Sequence, residues 1–378
     1  MCSSLRAQQK QKKAMSERIG ILTGGGDCPG LNAVIRAVVK TASKLGWETL
    51  GFHGGYEGLL DKSYQLLDYK KMDHLLKQGG TILGTSNKGR FAVKTGVGQI
   101  GHLDPNVMKN SLKNFNELGL KALVCVGGDG SLTIAQQLFE GGIPLVGVPK
   151  TIDNDLEGTL LTFGFDSAVS CAMDAIDRLH TTAESHNRVM IIELMGRYAG
   201  WITLWAGMSG GADVILLPEI PFNYESICQQ IKRREESGKF FTIIAVSEGA
   251  KEEGGTLTLL ENQEAGRDAR LGGIGNRIAQ EISKRTGKET RVCVLGHLQR
   301  GGGPTSLDRV LCTSFGASAV RLIKEGKFGY MTAYVPPHIT AIKISDAIGK
   351  LRLVEKDNEM VSFARSMGIS MGDEVSTK

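Results

Sequence analysis

Short apolar runs rich in Val, Ile and Leu recur along the chain, and each ends in a glycine-bearing or polar turn. The runs are RIGILT, KALVCV, IPLVGV, RVMIIEL, FFTIIAV and RVCVL, and stretches with helical spacing follow several of them. Continuous apolar strands that alternate with helices are typical of a parallel sheet covered on both faces. The pattern therefore predicts an α/β fold with largely parallel sheets.

The spacing of apolar residues also predicts individual helices. The stretch NAVIRAVVKTASKLG places six apolar residues on one helical face, with Gly46 as a stop signal. These six are Val34, Ile35, Val38, Val39, Ala42 and Leu45. The longest predicted helix lies within 166–186, with Asp166 or Ser167 as its N-cap.

Length and glycine content extend this picture. A chain of 378 residues is longer than the roughly 250–300 residues at which one hydrophobic core stops growing, so two domains are expected. Glycine accounts for 50 residues, about 13% against a usual ~7%, without a collagen-like period. The excess indicates turns and loops that approach a ligand closely.

Charge and cysteine usage narrow the possible functions. The formal charge is +5, and four basic side chains in residues 1–16 carry +4 of it, which leaves +1 for the remaining 362 residues. A nearly neutral body does not suggest nucleic-acid binding, and no apolar run approaches the ~20 residues of a membrane span. Seven scattered cysteines without a Cys-x-x-Cys pair favour a reducing cytoplasm. Residues 1–17 are expected to be a disordered basic extension.

Two glycine-rich motifs follow predicted strands and open predicted helices, GGGDCPGLNA (24–33) and VGGDGSLTIA (126–135). Glycines let a backbone approach a phosphate, and amide groups at a helix N-terminus attract anions. Asp129 can hold Mg²⁺, which prefers one or two carboxylates plus substrate oxygens, and Ser131 can donate to a phosphate. The alternative for either motif is a tight turn with an aspartate cap and no ligand.

The stretch LVGVPKTIDNDLEG (145–158) places a cation, a hydroxyl group and two carboxylates at the end of a predicted strand. Asp153 and Asp155 are two positions apart, so in an extended loop both can face the same side. A carboxylate near a substrate hydroxyl can take its proton, and a second carboxylate raises the pKa of that base or assists a metal. The alternative is a solvated acidic turn.

Arginines flank the later predicted strands: Arg188, Arg197, Arg291 and Arg300, with His297 nearby. Guanidinium groups bind phosphate oxygens through two parallel hydrogen bonds, so the set favours a phosphate-ester pocket over isolated surface salt bridges. In α/β sheets such ligands bind beyond the carboxyl ends of strands. A base, a magnesium carboxylate and cations together predict phosphoryl transfer between two anions.

At this point the sequence resembles the 6-phosphofructokinases. The likeness covers roughly residues 18–350 and rests on GGGDCPGLNAVIR, HGGYEGL, GGTILGT, GGDGS, PKTIDND, GFDSAV, AIDRL, SHNRV, MGRYAGW, PE (218–219), SEG and VLGHLQRGG. It implies two Rossmann-like three-layer domains with the active site in the cleft between them. The expected parts are a donor domain (18–163 plus about 299–350), a fructose 6-phosphate domain (164–298) and a loosely held C-terminal tail (352–378).

The resemblance implies transfer of a phosphoryl group from Mg-ATP to the 1-hydroxyl of fructose 6-phosphate, a step of glycolysis. Asp153 would be the base, with Thr151 and Asp155 beside it, and Arg197 would stabilise the transferring group. The implied substrate-binding residues are Thr151, Ile152, Asp153, Arg188, Met195, Gly196, Arg197, Glu248, Arg291, His297, Leu298, Gln299 and Arg300. The implied nucleotide-binding residues are Gly26, Asn87, Lys88, Gly128, Asp129, Gly130 and Ser131, with Mg²⁺ on Asp129.

The resemblance also implies an oligomer. Arg188 and Arg291 in this family reach into a neighbouring subunit's site, so a cytoplasmic homo-oligomer is expected, most often a tetramer, with a dimer as the alternative.

The donor is the first point of departure from the family. Pyrophosphate users carry an Asp where this chain has Gly130 and a Lys where it has Lys150, whereas familiar bacterial ATP enzymes carry Gly at both positions. An Asp at position 130 would repel the α-phosphate of a nucleotide, while glycine leaves the space open. We therefore expect ATP as donor, with pyrophosphate as the alternative.

Two further departures concern nucleotide contacts and regulation. Asn87-Lys88 replaces the Arg-Phe of bacterial ATP enzymes, and Lys88 or Arg90 is expected to supply the cation. In the basic cluster that binds ADP or phosphoenolpyruvate, His180 replaces an arginine, and Lys239 is followed by two phenylalanines. Weak or absent control by those effectors is expected.

More distant alternatives are a nucleotide or lipid kinase that shares only the GGDGS loop, and a catalytically silent regulatory subunit that binds sugar phosphates. The first would not need the MGRYAGW and GHLQRGG segments. The second would be expected to lack the base or the metal carboxylate, yet Asp153 and Asp129 are both present.

Overall fold

The structure is a computed structural model that describes residues 16–86, 89–91, 94–96, 99–261 and 270–374. Two of the predicted nucleotide-binding residues, Asn87 and Lys88, lie outside the described residues, as does most of the predicted basic extension. Contacts between residues divide the chain into two compact units.

The first unit holds the described residues of Met1–Val93, Gly101–Pro149 and Arg309–Ile348. The second unit holds those of Lys94–Ile100, Lys150–Asp308 and Gly349–Lys378. The domain boundaries expected from the sequence stay a prediction.

The strands of the described residues are short, from two to eight residues. They are β1 (Arg18–Thr23), β2 (Glu48–Phe52), β3 (Tyr64–Leu66), β4 (Lys94–Gly96), β5 (Gln99–Ile100), β6 (Leu120–Gly127), β7 (Leu145–Pro149), β8 (Val189–Leu194), β9 (Val214–Leu216), β10 (Thr242–Ser247), β11 (Leu259–Glu261), β12 (Arg270–Leu271), β13 (Thr290–Val294), β14 (Tyr330–Val335) and β15 (His338–Lys343).

Helices separate most of these strands. They are α1 (Leu31–Lys44), α2 (Tyr56–Leu60), α3 (Pro105–Glu117), α4 (Asp129–Glu140), α5 (Phe165–His186), α6 (Trp201–Ser209), α7 (Tyr224–Glu236), α8 (Ile274–Thr286), α9 (Ser306–Lys324), α10 (Ile344–Ala347) and α11 (Glu359–Ser366), with 3₁₀ helices at Tyr69–Lys71, Asp73–Lys77 and Gly296–Arg300. Across the described residues, none of these helices combines the length and the apolar character needed to cross a membrane.

The first unit is built on a seven-stranded sheet in the order β15-β14-β7-β6-β1-β2-β3. The five inner strands are parallel, and the edge strands β15 and β3 are antiparallel to their neighbours. Strands β1, β6 and β7 are almost wholly buried, as the continuous apolar runs predict. Because β1 and β6 are adjacent and parallel, the loops that follow them leave the sheet at the same edge.

The second unit is built on a four-stranded parallel sheet in the order β13-β8-β10-β9. Its apolar core packs strands β8, β9 and β10 against helices α7 and α8. The loops after β8, β10 and β13 therefore leave this sheet at one edge as well. Within the glycine-rich stretch 251–273, strands β11 and β12 form a short antiparallel pair, and residues 262–269 lie outside the described residues.

Two predictions about helix ends are wrong. Leu45 is 36% exposed, because α1 ends at Lys44 and Leu45 is its C-cap; the other five predicted apolar residues are buried. The N-cap of α5 is Gly164, with no side-chain cap of its own. The Asp308 carboxylate instead accepts hydrogen bonds from the backbone N–H groups of Gly164 (3.0 Å) and Ser167 (2.9 Å).

The expectation of a loosely held C-terminal tail is wrong for its described part, 352–374. Ser370 pairs with Val214 at the edge of the second sheet, and the Asn223 N–H donates to the Gly372 carbonyl (2.8 Å). Helix α11 buries Val361 completely. The polar composition of this segment does not indicate these contacts, so they could not be predicted from the sequence.

Candidate active site

Two glycine loops of the first unit pack tightly around Ser131. The Gly24 N–H donates to the Val126 carbonyl (2.9 Å), and a Cβ on Gly24 would lie only 2.7 Å from the Ser131 hydroxyl oxygen. A Cβ on Gly127 would overlap the Ser131 side chain. Side chains at either glycine would force the loops apart, so this close approach explains the two glycine runs.

Asp129 and Gly130 open helix α4, directly after strand β6. Both are partly exposed, and Gly128 is the N-cap. The positive end of the helix dipole and the amide groups of the first turn suit a phosphate. A single carboxylate fits Mg²⁺, which takes its other ligands from phosphates and water. Among the described residues there is no group of three His, Cys, Asp or Glu that could hold a metal alone.

Tyr56 holds the first turn of helix α4 through a hydrogen bond. Its hydroxyl donates to the Ser131 carbonyl (2.7 Å), and its ring, 5% exposed, packs against Phe91. Burial, with a smaller contribution from Cys125, raises the pKa of Tyr56 well above its usual value. The phenol therefore stays protonated and keeps donating. The sequence motif HGGYEGL contains this residue, but its role is visible only in the structure.

The GGTILGT segment is fastened to the first glycine loop. The Thr23 hydroxyl donates to the Gly84 carbonyl (2.8 Å), and the Thr85 hydroxyl donates to the Gly25 carbonyl. The Asn32 side chain, fully buried, accepts from the Ile82 N–H (2.8 Å). The segment that leads to Asn87 and Lys88 is thus held beside the glycine loops.

Arg90, the alternative cation on the nucleotide side, is paired with acidic side chains of its own unit. Its guanidinium donates to Glu57 (2.8 Å) and to Asp61 (2.6 Å). Its guanidinium is therefore paired with one residue of helix α2 and with the residue that directly follows this helix.

In the second unit, the predicted base Asp153 is 5% exposed, and its Oδ1 atom is buried without a hydrogen-bond partner. Its N–H donates to the Thr151 hydroxyl (3.1 Å), which fixes the turn. A buried carboxylate oxygen without a partner costs roughly 1–3 kcal/mol or more. Such a cost is typical of a group reserved for a substrate.

Asn154, between the two aspartates, has a left-handed backbone with φ of 52°. Its side chain accepts from the Thr162 N–H (2.9 Å) and donates to the Leu160 carbonyl (3.3 Å). Asparagine tolerates this conformation better than most residues, which explains its place in the IDND turn. Lys150, 4% exposed, forms a parallel bridge with Phe163 at the base of the loop.

Glu248 follows strand β10 and lies close enough to Asp153 for their charges to interact. Burial, and after it the Asp153 carboxylate, raises the pKa of Glu248 to about 7. The Arg197 N–H donates to Glu248 Oε1 (3.1 Å), which opposes part of that shift. The buried Asp153 carboxylate and the Glu248 carboxyl group therefore share one site, which is suited to receive a hydroxyl group and its proton.

The MGR segment after β8 has an unusual backbone: Gly196 has φ of 148° and Arg197 has φ of 52°. The Met195 N–H donates to the side-chain oxygen of Gln299 (2.8 Å), which is fully buried. A Cβ on Gly249 would overlap the Arg197 carbonyl. The loops after β8 and β10 and the Gly296–Arg300 turn are therefore joined into one structure.

The remaining predicted substrate residues differ in accessibility. His297 and Leu298 are exposed, and Leu298 is 70% exposed. Arg300 is half-buried. Ile152 is fully buried, so only its backbone is suited to meet a substrate.

Arg188 and Arg291 are not brought to these loops. Arg188 precedes β8 and Arg291 lies beside Met190, near the start of that strand. Six residues of strand span roughly 20 Å, so both arginines lie far from the MGR loop at its other end. Both form ion pairs with the same carboxylate, that of Glu289, whose Oε1 atom lies 2.9 Å from Nη2 of Arg188.

The residues expected near an effector site form a compact internal cluster. A His180 ring nitrogen lies 2.8 Å from the Gly210 carbonyl, and the ring contacts Phe241 edge-on. Arg234 stacks over Phe241 and pairs with Asp213 at 2.5 Å. The arginine and aspartate side chains are both 13% exposed, so this cation already has an internal partner.

The contacts of Arg352 and Glu219 were not predicted from the sequence. Arg352 donates to the Asn154 carbonyl (2.9 Å), and Glu219 accepts from the Gly200 N–H (2.9 Å) and the Val354 N–H (2.8 Å). The PE dipeptide marked Glu219 as part of a motif but not its role. Arg352 lies in an undistinguished polar stretch.

Known proteins resemble the chain over most of its length. The phosphofructokinase family model matches residues 18–323. An ATP-dependent 6-phosphofructokinase of Chloroflexus aurantiacus is 51% identical over 360 residues, which are 95% of this chain and 99% of that protein. A pyrophosphate–fructose 6-phosphate 1-phosphotransferase of Amycolatopsis mediterranei is 48% identical over 339 residues, 89% of this chain and 96% of that protein.

Among solved structures, phosphofructokinase from Saccharomyces cerevisiae superposes with a TM-score of 0.75 at 28% identity. The match covers 88% of this chain, which spans less than half, 45%, of the yeast chain. Because the family model covers most of the chain and relatives near 50% identity cover almost all of it, the chain belongs to the phosphofructokinase family.

Proposed function

We propose that this chain is an ATP-dependent 6-phosphofructokinase, which phosphorylates the 1-hydroxyl of fructose 6-phosphate in glycolysis. The observation that carries the proposal is the pair Asp153 and Glu248: a buried carboxylate with an unpartnered oxygen beside a carboxyl group with a pKa near 7. This pair can take a proton from a sugar hydroxyl and can form hydrogen bonds with the neighbouring hydroxyl groups of the sugar.

Each residue then has a role within its own unit. Asp153 removes the hydroxyl proton, with Thr151 and Asp155 beside it. Arg197 stabilises the charge of the transferring phosphoryl group, and the MGR backbone, Glu248, His297 and Arg300 bind the sugar phosphate. These roles agree with the joined loops at the carboxyl edge of the second sheet.

The donor binds to the glycine loops of the first unit in this proposal. Gly26, Gly128, Gly130 and Ser131 contact its phosphates, and Asp129 holds the Mg²⁺, which would neutralise developing charge on the phosphates. Gly130 supports ATP, because it leaves room for an α-phosphate. Lys150 and the pyrophosphate-dependent relative of A. mediterranei favour pyrophosphate as the second candidate.

The protein is further proposed to be a cytoplasmic homo-oligomer, a tetramer or a dimer. Arg188 and Arg291 support this, since they lie at the amino ends of the strands whose carboxyl ends carry the site. In an oligomer they can complete a neighbour's sugar-phosphate pocket.

A coupled assay of the purified protein tests the proposal. We expect turnover of fructose 6-phosphate with Mg-ATP and at least tenfold lower turnover with pyrophosphate. Turnover with pyrophosphate alone would establish the second candidate, and no turnover with either donor would refute both.

A further inference from the structure

Arg352 holds the backbone of the loop that carries Asp153. Its Nη2 and Nε atoms donate to the Asn154 carbonyl oxygen at 2.9 and 3.2 Å. Its own backbone N–H donates to the Asp155 carbonyl (2.9 Å). Two consecutive carbonyl groups directly after the base are therefore held by one residue.

Arg352 is itself fixed on its other side. Its guanidinium lies 4.6 Å from the centre of the Trp201 ring, and the Trp201 indole N–H donates to the Arg352 carbonyl (2.8 Å). Two residues on, the Val354 N–H donates to Glu219, which also accepts from the N–H of Gly200, the N-cap of helix α6. A stacked guanidinium with two aligned donors loses little freedom when it binds, so it is a rigid anchor.

The held carbonyl belongs to a residue in a strained conformation. Asn154 has φ of 52°, which costs a non-glycine residue roughly 1 kcal/mol or more. Its side chain is bound by Thr162 and Leu160, but these contacts do not fix the peptide group after Cα. The charged donors of Arg352 fix that peptide group, and with it the orientation of the turn that carries the Asp153 side chain.

We propose that Arg352 is a positioning residue for phosphoryl transfer: by clamping the Asn154 carbonyl, it holds the Asp153 carboxylate where the sugar hydroxyl must lose its proton. Arg352 acts through Asp153 and not on the substrate. The inference rests on the proposed function for its chemical meaning, whereas the clamp itself is a property of the loop.

Steady-state kinetics of Arg352→Ala and Arg352→Lys test this role. We expect kcat of the alanine variant to fall by about 10- to 100-fold, the cost of misplacing a catalytic group by roughly 1 Å. The KM for fructose 6-phosphate should stay within threefold, because the sugar contacts remain. Lysine keeps the charge and can donate from its ammonium group, but it lacks the planar fork, so its kcat should be intermediate. Added methylguanidinium should restore part of the activity of the alanine variant.

Arg365→Ala is the matched control. Arg365 lies in the same C-terminal part of the second unit and pairs with Asp373 (2.8 Å) and Glu374 (2.7 Å), away from the loop. Its kcat and KM should be unchanged. A wild-type kcat in Arg352→Ala, or equal losses in both variants, would overturn the proposal. Should the alanine variant fail to fold, the lysine variant decides in the same way.

Hydrogen–deuterium exchange separates the clamp from the chemistry. Peptides that cover residues 151–162 should exchange faster in Arg352→Ala than in wild type or in Arg365→Ala. Unchanged exchange would overturn the clamp, whatever the kinetics. A wild-type protein without kinase activity would instead refute the proposed function, while the exchange result would still decide whether Arg352 orders the loop.

Discussion

Asp153 and Glu248 come from different segments of the second unit, yet the charge of the first raises the pKa of the second. Burial is the larger cause, and together the two effects bring the pKa of Glu248 to about 7. The pair therefore changes its charge within the physiological pH range, which makes several properties of the protein measurable functions of pH.

Replacement of the base is the most direct prediction. Asp153→Ser should lower kcat by about 10³-fold or more, since it removes both a proton acceptor and a charge placed for the transition state. Fructose 6-phosphate binding, measured by calorimetry, should change by only a few fold. Asp174→Ser, on an exposed helix face, is the control and should remain active. An unchanged kcat in Asp153→Ser would remove this residue from the mechanism.

Glu248 is expected to reduce stability at alkaline pH. Its pKa is about 7 in the folded state against 4.5 as the reference, so the folded state binds the proton more tightly. Its favourable contribution is therefore full below pH 4.5 and is lost as pH rises through 7. Glu248→Gln, which cannot ionise, should raise the melting temperature at pH 8 by several degrees and have little effect at pH 5.

Thermal scans of Glu253→Gln, at an exposed position, provide the reference for this comparison. An equal stabilisation by both variants, or a gain for Glu248→Gln that is larger at pH 5 than at pH 8, would contradict the assigned sign.

Donor choice should depend on position 130. Gly130→Asp places a carboxylate where an α-phosphate is expected, and two like charges about 4 Å apart repel by roughly 4 kcal/mol near a protein surface. We expect kcat/KM for ATP to fall by at least 100-fold and activity with pyrophosphate to fall far less. Asn116→Asp makes the same charge change at an exposed position of helix α3 and should leave both activities unaltered. Full ATP activity in Gly130→Asp would show that this glycine does not select the donor.

Subunit mixing tests whether Arg188 serves a neighbouring site. Arg188→Ala and Asp153→Ser should each be poorly active alone. If one site combines Asp153 of one subunit with Arg188 of another, oligomers reassembled from both variants will contain some intact sites. We therefore expect activity to reappear on mixing, up to about a quarter to a half of wild type for a dimeric site. Mixed oligomers without any gain would place both residues in the same subunit's site.

Weak control by phosphoenolpyruvate and ADP is the fifth expectation. Arg234 is already paired with Asp213 and stacked on Phe241, so this cation is occupied within the chain. The rate against fructose 6-phosphate should remain hyperbolic with either effector at millimolar concentration. A strongly sigmoidal curve with phosphoenolpyruvate would prove the prediction wrong.

The hydrophobic pattern predicts the sheets well, because a strand buried on both faces must be apolar throughout. Strands β1, β6, β7, β8 and β10 match the apolar runs, and five of the six predicted core positions of α1 are buried. The end of helix α1 was predicted one residue too late, at Leu45. A shift of one residue is enough to turn a predicted core position into the C-cap of the helix.

Those site residues that directly follow a strand in the sequence could be predicted from the sequence pattern. Asp153 and Glu248 each follow an apolar run, but the pKa of Glu248 depends on burial and on a partner 95 residues away, which no local pattern records. Asp308 caps α5 from 141 residues away, and Arg352 binds Asn154 from 198 residues away. Contacts of this range leave no periodic signature in one sequence.

The distance along the chain between Asn154 and Arg352 has a consequence for biosynthesis. A ribosome translates the loop of Asp153 almost two hundred residues before it reaches the arginine that grips it. A nascent chain stalled before that codon would have the base and every predicted sugar contact but no clamp. Such a product would carry a nearly complete but poorly active site, so the assembly of catalytic power should be among the last events of synthesis.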